Sequence, residues 1–543
     1  MSSAENKSAS SALAGAVWLA DERRVAAFYY ALGAAPTAAL PGLRASPLAE
    51  AAKHVHFAPS PLMLQVREIA ARGADDPRDA RAVALVDLDC DVQQRHFEAA
   101  FARRADRWRV ARRARRGGRF DESERAALRV EEYETTPWDV VMGGDSGGGG
   151  GGSGGGGGAG AAPAGATVAV GASNFCVRKG LGRKAVMAEA LRAHAAKCGA
   201  ACPLHAALPE TVVVDAVAAF HARPAWLDFR SALAEALAEA ETAIDAAAAA
   251  AAAAVPPAPP PLWVLKPSIT NKGEGLCIVS NAADVAAAVR ETPEMGQWVL
   301  QRYVDRPLLL RPVPDWLLSR LLNSGRGASG GGGGSAGTHK FHLRVYVLAA
   351  GALAVHVFRE ALVLIAAEPY DRAGALDPAR RAAHVTNTCV ARDEAGADFD
   401  EALHVRSSGE LAALLLASGA AATRDDAEAR VAAVFAEVRA AVAHCFRAME
   451  GRVGLYLPLP APSFELYGVD FLVDADFRVL LLEFNPTPDV KMTGALLDGL
   501  VGRLIDGSVG IATGEGAGES GGEWDTVYAK VWPQHGGMRI SVT

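Results

Sequence analysis

What the chain lacks narrows its possibilities first. The apolar run at 246–254 is only nine alanines long, far short of the roughly 20 residues a bilayer-spanning helix needs. The opening segment MSSAENKSASSALAGAVWLA has no basic stretch ahead of a long apolar core, so no leader and no membrane attachment are expected. Cysteine is sparse and odd in number. Seven residues scattered over 543 suit reduced thiols in the cytoplasm better than a disulfide framework. An excess of one charge is missing too: 55 basic and 62 acidic residues leave a net −7, which points to no particular partner.

What is present divides the chain. Glycine, serine and alanine fill 144–167, the composition of a flexible linker. The alanine run followed by VPPAPPP reads as a helix entering an extended proline-rich spacer, and 324–337 and 507–522 are further glycine-rich tracts. The expected organisation is an N-terminal region at 1–143 of unassigned fold, the linker, a central unit at 168–262, a large unit at 263–506 and a tail at 507–543. Residues 103–119 hold nine arginines against one acid. Such a stretch is able to grip an acidic protein tail or nucleic acid, although a solvated helix face or a nuclear-targeting patch accounts for it equally well.

The stretch YGVDFLVDADFRVLLLEFNPTP, residues 467–488, places carboxylates where strands usually exclude them. Two apolar runs around DAD predict a β-hairpin. With Val473 set opposite Arg478, Asp470 faces Leu481, and alternation brings Glu483 and Asn485 onto the same face. Three hard oxygen donors suit Mg²⁺ that keeps phosphate oxygens and water in its other positions. A polar edge hairpin with solvated acids is the alternative, and a slip of one residue in register would send Asp470 to the other face.

Upstream, WVLKPS predicts a strand ending near Lys266, and Lys272, Gly273 and Gly275 mark the following turn. Backbone N–H groups at such a turn approach phosphates closely, though glycine is also ordinary turn chemistry. The backbone of Gln301, Arg302, Tyr303 and Val304 offers a donor and an acceptor to an adenine edge. Two further strands carry Lys340, Arg344 and Arg359, and alternation sets His342 on the face of Lys340 and Arg344. Cations beside a metal pair suggest phosphoryl transfer, while each arginine taken alone is equally a solvated one.

Taken in order, the runs WVLKPSITNKGEG, VLQRYVDRPLLL, HKFHLRVYVL, FREALVLIAAEPYD, HVTNTCV, ELYGVDFLVD and LLLEFNPTP resemble the tubulin–tyrosine ligase family. NFCVRKGLGRKAVMAEAL at 174–191 is similar to the segment that opens its central domain. The resemblance spans 174–506 and leaves the first 140 residues unmatched. It implies an α/β (α+β) protein: an ATP-grasp catalytic domain preceded by a smaller α/β domain. It further implies that ATP and Mg²⁺ bind. Lys266 would then contact the α- and β-phosphates, the loop from Lys272 to Gly275 would close over them, and Gln301 to Val304 would read adenine. Lys340 would help to bind the nucleotide, Asp470, Glu483 and Asn485 would hold Mg²⁺, and Arg344 and Arg359 would hold the γ-phosphate. Asn387 would lie near the acceptor.

The implied reaction is addition of a free amino acid, tyrosine by the look of YVDRPLLL, to the carboxylate of an acidic protein tail such as that of tubulin. An acyl phosphate would form on the way, and no covalent enzyme nucleophile is needed. One departure is His342, where the family usually has an acid, which bears on substrate identity more than on nucleotide binding. Pro486 directly after Asn485 is a second departure and would end the strand. Two other readings remain: a tubulin- or RNA-granule-associated scaffold that kept the fold, and a glutamate- or glycine-adding relative. Elsewhere, His194, Cys198 and Cys202 recur at helical spacing with His205 beyond. That pattern matches no common zinc finger, so the cysteines are read as small core residues and HVH at 54–56 as strand filler.

Overall fold

The computed structural model describes most of residues 81–530, apart from 112–125, 142–170, 222–227, 325–336, most of 388–399, 491–496, 516–521 and a few single positions. HVH at 54–56, Lys272, the whole linker and most of the tract at 324–337 therefore lie outside the described residues. No helix among those described is long and apolar enough to cross a membrane.

Three sheets organise the fold. The first joins β1 (Ala82–Asp87), β2 (Trp108–Ala111), β3 (Leu128–Glu131) and β4 (Gly171–Ala172) in the order β2-β1-β3-β4, every pairing parallel. Helix α1 (Asp91–Ala102) makes the crossover between the first two strands, as parallel pairing requires. The second sheet is antiparallel, with β5 (Thr211–Asp215), β6 (Trp263–Pro267), β7 (Cys277–Val279) and β8 (Gln297–Arg302) in the order β5-β8-β6-β7. Helix α3 (Phe229–Ala253) packs Leu233, Leu237 and Ile244 over it, and its last residues are the alanine run. Helix α2 (Lys184–Cys198) precedes that unit.

The third sheet is built around one long strand, β10 (His339–Ala350). One edge of β10 pairs with β14 (Phe464–Val473) from Leu343 to Ala350; its other edge serves first β12 (Leu362–Ile365) and then β11 (Ala354–Phe358). β15 (Val479–Pro486) continues the sheet beyond β14. Alternation gives β10 two faces. Phe341, Leu343, Val345 and Val347 join the core under helix α4 (Arg424–Met449), against Val438, Val442 and Phe446. The opposite face is divided along its length. Tyr346 and Leu348 pack with Phe97 and Phe101 of α1 and with Leu504 of α5 (Asp498–Ala512), whereas Lys340 and His342 open onto a cleft. β14 repeats the pattern, with Phe464 at the apolar end and Asp470 at the polar end. The first sheet thus covers the apolar half of this face, so the N-terminal region shares a core with the large unit.

Two boundaries differ from the sequence expectation. Helix α5 runs through Ala512 and strand β16 (Trp524–Ala529) pairs with β11, so the third sheet extends into the expected tail at 507–543. Glycine here serves close packing rather than looseness: a Cβ at Gly507 would meet the Trp524 indole at 2.3 Å. The arginine-rich stretch is also partly absorbed. Arg104 is buried against Asp506 at 2.5 Å and Glu515 at 2.6 Å, Arg103 bonds Asp506 at 2.9 Å, and Trp108–Ala111 is strand β2. Arg104 thus holds α5 and the segment after it, Arg103 is exposed beside it, and the arginines at 112–119 lie outside the described residues.

The hairpin register is corrected by one residue. Val473 lies opposite Val479, not Arg478, because Asp474 draws Arg478 into the turn, accepting from its backbone N–H at 2.9 Å and its Nε at 2.8 Å. Uninterrupted, that register would set Leu482 across from Asp470. A bulge between Asp470 and Phe471 absorbs Leu482, so Asp470 faces Glu483 and Gly468 faces Asn485. Replacing Asp474 by alanine strips the turn of a buried carboxylate acceptor. Asp474→Ala is expected to cost about 1–3 kcal/mol in urea denaturation, and an unchanged midpoint would show that the turn does not set the register.

Candidate functional site

The cleft lies between the second and third sheets and is open to solvent at its mouth. Of the residues singled out in the sequence, Lys266, Gly273, Gln301, Arg302, Tyr303, Val304, Lys340, His342, Asn387, Asp470 and Glu483 line it. Gly273 has φ +75° and its carbonyl accepts from Arg381 at 2.6 Å. Gly275, with φ +68°, lies where a Cβ would strike Pro267 at 2.8 Å, so it packs the turn onto β6 and does not line the cleft.

The cationic wall is unusually dry. Lys266 is buried, donates to Gln301 Oε1 at 2.8 Å, and is pushed down to about 8 by burial, with Glu483 partly restoring its charge. Lys340 stands 4.4 Å above the Tyr303 ring and is pushed down to about 7 by burial and then by Lys266. Lys266 raises the cost of charging Lys340, and Lys184 raises that of charging Lys266. The backbone at the end of β8 is partly used: Arg302 N–H donates to Glu210 O at 2.7 Å and Tyr303 N–H to Leu262 O at 2.9 Å. Tyr303 OH and His384 Nδ1 bond at 2.8 Å beneath it.

The acidic wall faces it. Arg344 and Asp470 form a two-pronged pair, Nε to Oδ1 at 2.5 Å and Nη2 to Oδ2 at 3.0 Å. Burial raises the carboxyl of Asp470, but Arg344 and then His342 outweigh it, and Asp470 stays ionised below its ordinary value. Asn485 Nδ2 donates to Asp470 Oδ2 at 3.2 Å, which leaves the amide oxygen as its donor for a cation. Glu483 pairs with Lys184 at 3.3 Å. Two carboxylates and an amide oxygen at the end of one hairpin are a hard donor set of the kind Mg²⁺ takes. The residues present fit such an ion.

Two placements differ from the sequence expectation, and a third agrees with it for a different main cause. Arg359 is more than half exposed and pairs with Asp525 at 2.8 Å, because it leaves β11 beside β16; it takes no part in the cleft. Arg344 commits Nε and Nη2 to Asp470 and does not line the cleft. His342 is neutral, as its cationic neighbours suggest, but the main cause is burial, which lowers it to about 4; Asp470 opposes this, and Arg344 and Lys340 add to it. Its Nδ1 meets Thr386 Oγ1 at 2.5 Å, and its Nε2 has no hydrogen bond among the described residues and lies 3.7 Å from Asp470 Oδ1.

Sequence reasoning missed Lys184, the first residue of α2, which lines the cleft and also donates to Thr270 O at 2.5 Å. A lysine at a helix N-terminus opposes the helix dipole, and that local misfit was the available signal. His384 and Thr386 were missed as well; both lie in the run AAHVTN.

A model of the tubulin-tyrosine ligase family matches residues 228–515, more than half of the chain. The chain belongs to that family. It is 26% identical over 275 residues to a probable tubulin–tyrosine ligase of Schizosaccharomyces pombe, covering 46% of this chain and 57% of that protein. The probable tubulin–tyrosine ligase PBY1 of Saccharomyces cerevisiae is 25% identical over 291 residues, covering 46% and 32%. A tubulin monoglycylase of Mus musculus is 24% identical over 244 residues, covering 43% and 22%. The match thus spans about half of the first of these relatives and a third or less of the other two. Among solved structures, the C-terminal domain of K. lactis Pby1, an ATP-grasp enzyme interacting with the mRNA decapping enzyme Dcp2, aligns with a TM-score of 0.48 and 22% identity, over 80% of this chain and 93% of that one. The sheets and the helices packed on them make the fold a mixed helix-and-sheet one of the α/β (α+β) class.

His342 is the residue whose exchange reads the acidic wall. His342→Asp sets a second carboxylate near Asp470 and removes no charged partner. The variant is expected to melt lower than the parent at neutral pH and to regain stability on adding Mg²⁺ more than the parent does. Equal Mg²⁺ responses in thermal unfolding would show that no cation binds beside position 342.

Proposed function

We propose that this protein is an ATP- and Mg²⁺-dependent carboxylate–amine ligase that adds a free amino acid, tyrosine, to the C-terminal carboxylate of an acidic protein tail such as that of α-tubulin. The observation that carries the reading is the facing of two walls across one cleft: buried Lys266 and Lys340 on one side, Asp470 with Glu483 on the other. Two half-discharged lysines in a dry wall are a poor resting arrangement and a good receptor for a polyphosphate, whose charge would restore theirs. Gly273 brings backbone near the same phosphates, and Tyr303 with Val304 edges the place where a base would sit. Asp470, Glu483 and the Asn485 amide oxygen would hold Mg²⁺, which neutralises phosphate charge and draws electrons from the phosphorus.

In the reaction, an oxygen of the tail carboxylate attacks the γ-phosphorus and ADP leaves. The resulting acyl phosphate is attacked at carbon by the amino acid's amine, which gives up a proton as inorganic phosphate departs. Lys266 and Lys340 hold the chain of phosphates in place and balance its charge throughout. Asn387, at the cleft near Gly273, is placed to orient the acceptor.

The placement of Arg344 and His342 favours a second reading. Arg344 is committed to Asp470, and the family's acid is replaced by a buried neutral imidazole. A protein that binds nucleotide and tubulin without transferring an amino acid would tolerate both. Incubating the full chain with ATP, Mg²⁺, detyrosinated tubulin and each labelled amino acid decides between them. Tyrosine incorporation supports the ligase, glutamate or glycine incorporation moves it to the corresponding relatives, and nucleotide binding without incorporation supports the scaffold. In an active protein, Glu483→Gln is expected to lower turnover by about a hundredfold or more while leaving the melting curve intact; parental turnover would remove Glu483 from the site.

The lysines supply a separate test. Their charged forms are disfavoured in the free protein, so at about pH 8 Lys340 is mostly neutral and Lys266 about half charged. Nucleotide binding raises both, and protons are taken up. At about pH 6 both are already charged and the uptake vanishes. Calorimetric titration with ATP in buffers of different ionisation enthalpy measures this, and uptake that is equal at both pH values would contradict the assignment.

A further inference from the structure

Outside the cleft, one cluster of side chains has no role in the reading above. His194 and Cys198 lie one turn apart near the end of α2, and Cys202 follows after Gly199, whose φ of +88° turns the chain back. The fourth member, His444, comes from α4, 242 residues further on from Cys202. The four ligating atoms all lie within 4.8 Å of one another. His194 Nε2 is 3.3 Å from His444 Nδ1, Cys202 Sγ is 3.6 Å from it and Cys198 Sγ is 3.9 Å from it.

These separations have a specific meaning. A tetrahedral zinc ion with bonds of about 2.05 Å to nitrogen and about 2.3 Å to sulfur sets its nitrogens about 3.4 Å apart and a nitrogen about 3.6 Å from a sulfur. Ordinary packing gives no reason for two thiols and an imidazole nitrogen to converge on the nitrogen of a fourth side chain. His205, the fourth candidate suggested by the sequence, is excluded: its Nε2 bonds the carbonyl of Gly199 at 3.1 Å.

We propose that His194, Cys198, Cys202 and His444 form a structural zinc site that clamps the end of α2 to α4. Four protein ligands close the tetrahedron and leave no open position, so the ion is structural and not a Lewis acid for the ligase reaction. On binding, each thiol gives its proton to solvent, and two thiolates cancel the charge of the ion. Arg447, one turn beyond His444, acts on both His194 and Cys202 and suits a thiolate pair. Cys198 is exposed and His194 and His444 half-buried, so an ion enters from solvent without unfolding the core.

The test uses the untagged full chain. Elemental analysis after dialysis is expected to give one zinc per chain, and a strong chelator should lower the melting temperature by several degrees, with equimolar Zn²⁺ restoring it. Cobalt added to the chelated protein should give the thiolate-to-metal bands of a two-sulfur tetrahedral site. Cys198→Ser with Cys202→Ser should abolish both signals, whereas His205→Ala should keep them. Should the double variant fail to fold, the cobalt spectrum of the parent chain carries the test alone. A chelated parent that binds neither metal overturns the proposal, as does an intact mass two protons light, which marks a Cys198–Cys202 disulfide.

Discussion

The pairing of Arg344 with Asp470 is the contact on which the site depends. The two residues are direct partners in the register of β10 and β14, and each is buried. Neither charge would survive alone in that environment. Their two-pronged geometry keeps the carboxylate ionised at the floor of the cleft, and Gly468 makes room for it: a Cβ there would lie 2.8 Å from Arg344 Cδ. The glycine in YGVD thus answers to an arginine on the neighbouring strand.

Around that pair, charge and burial follow a single division along β10 and β14. Where the first sheet covers them, their shared face is apolar; where it does not, the same face is polar. Burial then does the electrostatic work. It weakens the charge on Lys266 and Lys340, keeps His342 neutral, and fails to neutralise Asp470 only because Arg344 is in contact. The cleft in its free form is therefore short of positive charge on one wall, a deficit an anionic ligand removes. The N-terminal unit contributes indirectly, since Phe97 and Phe101 of α1 fill the apolar half of that face.

The sequence made the hairpin legible because alternation over two apolar runs leaves few choices for Asp470, Glu483 and Asn485. Its register was less legible. Which residue the turn claims depends on Asp474 capturing Arg478, and the bulge at Leu482 then moves Glu483 back opposite Asp470, so two local departures from regular pairing cancel at the carboxylates. Arg359 was misplaced for a different reason. Motif order puts it beside Arg344, but its position depends on β16, a strand from beyond the expected domain end. His444 was invisible as a site residue and Lys184 was signalled only by its misfit with the helix dipole, since each reaches its partners through tertiary packing of helices that periodicity cannot orient.

Helix α2 joins the two sites. Lys184, its first residue, reaches Glu483 and the Thr270 carbonyl in the cleft, and Cys198, its last, stands at the proposed zinc clamp. Fifteen residues of α-helix make a rod about 22 Å long. A cation at the N-terminus of that rod is unfavourable for the helix itself, and it is held there by the Lys184 N–H donating to Ser268 O and the Ala185 N–H donating to Ser268 Oγ, each at 3.1 Å. Its apolar contacts are made mostly by alanines, with Met187 and Leu191 the larger exceptions, a thin anchor for a helix that must hold a misfit charge against a carboxylate. A tetrahedral ion at the far end supplies a directional constraint that such a surface lacks, because it fixes the rotation of α2 as well as its distance from α4. The helix that carries Lys184 to Glu483 would then be fixed at both ends, by Ser268 at the first and by the ion at the last.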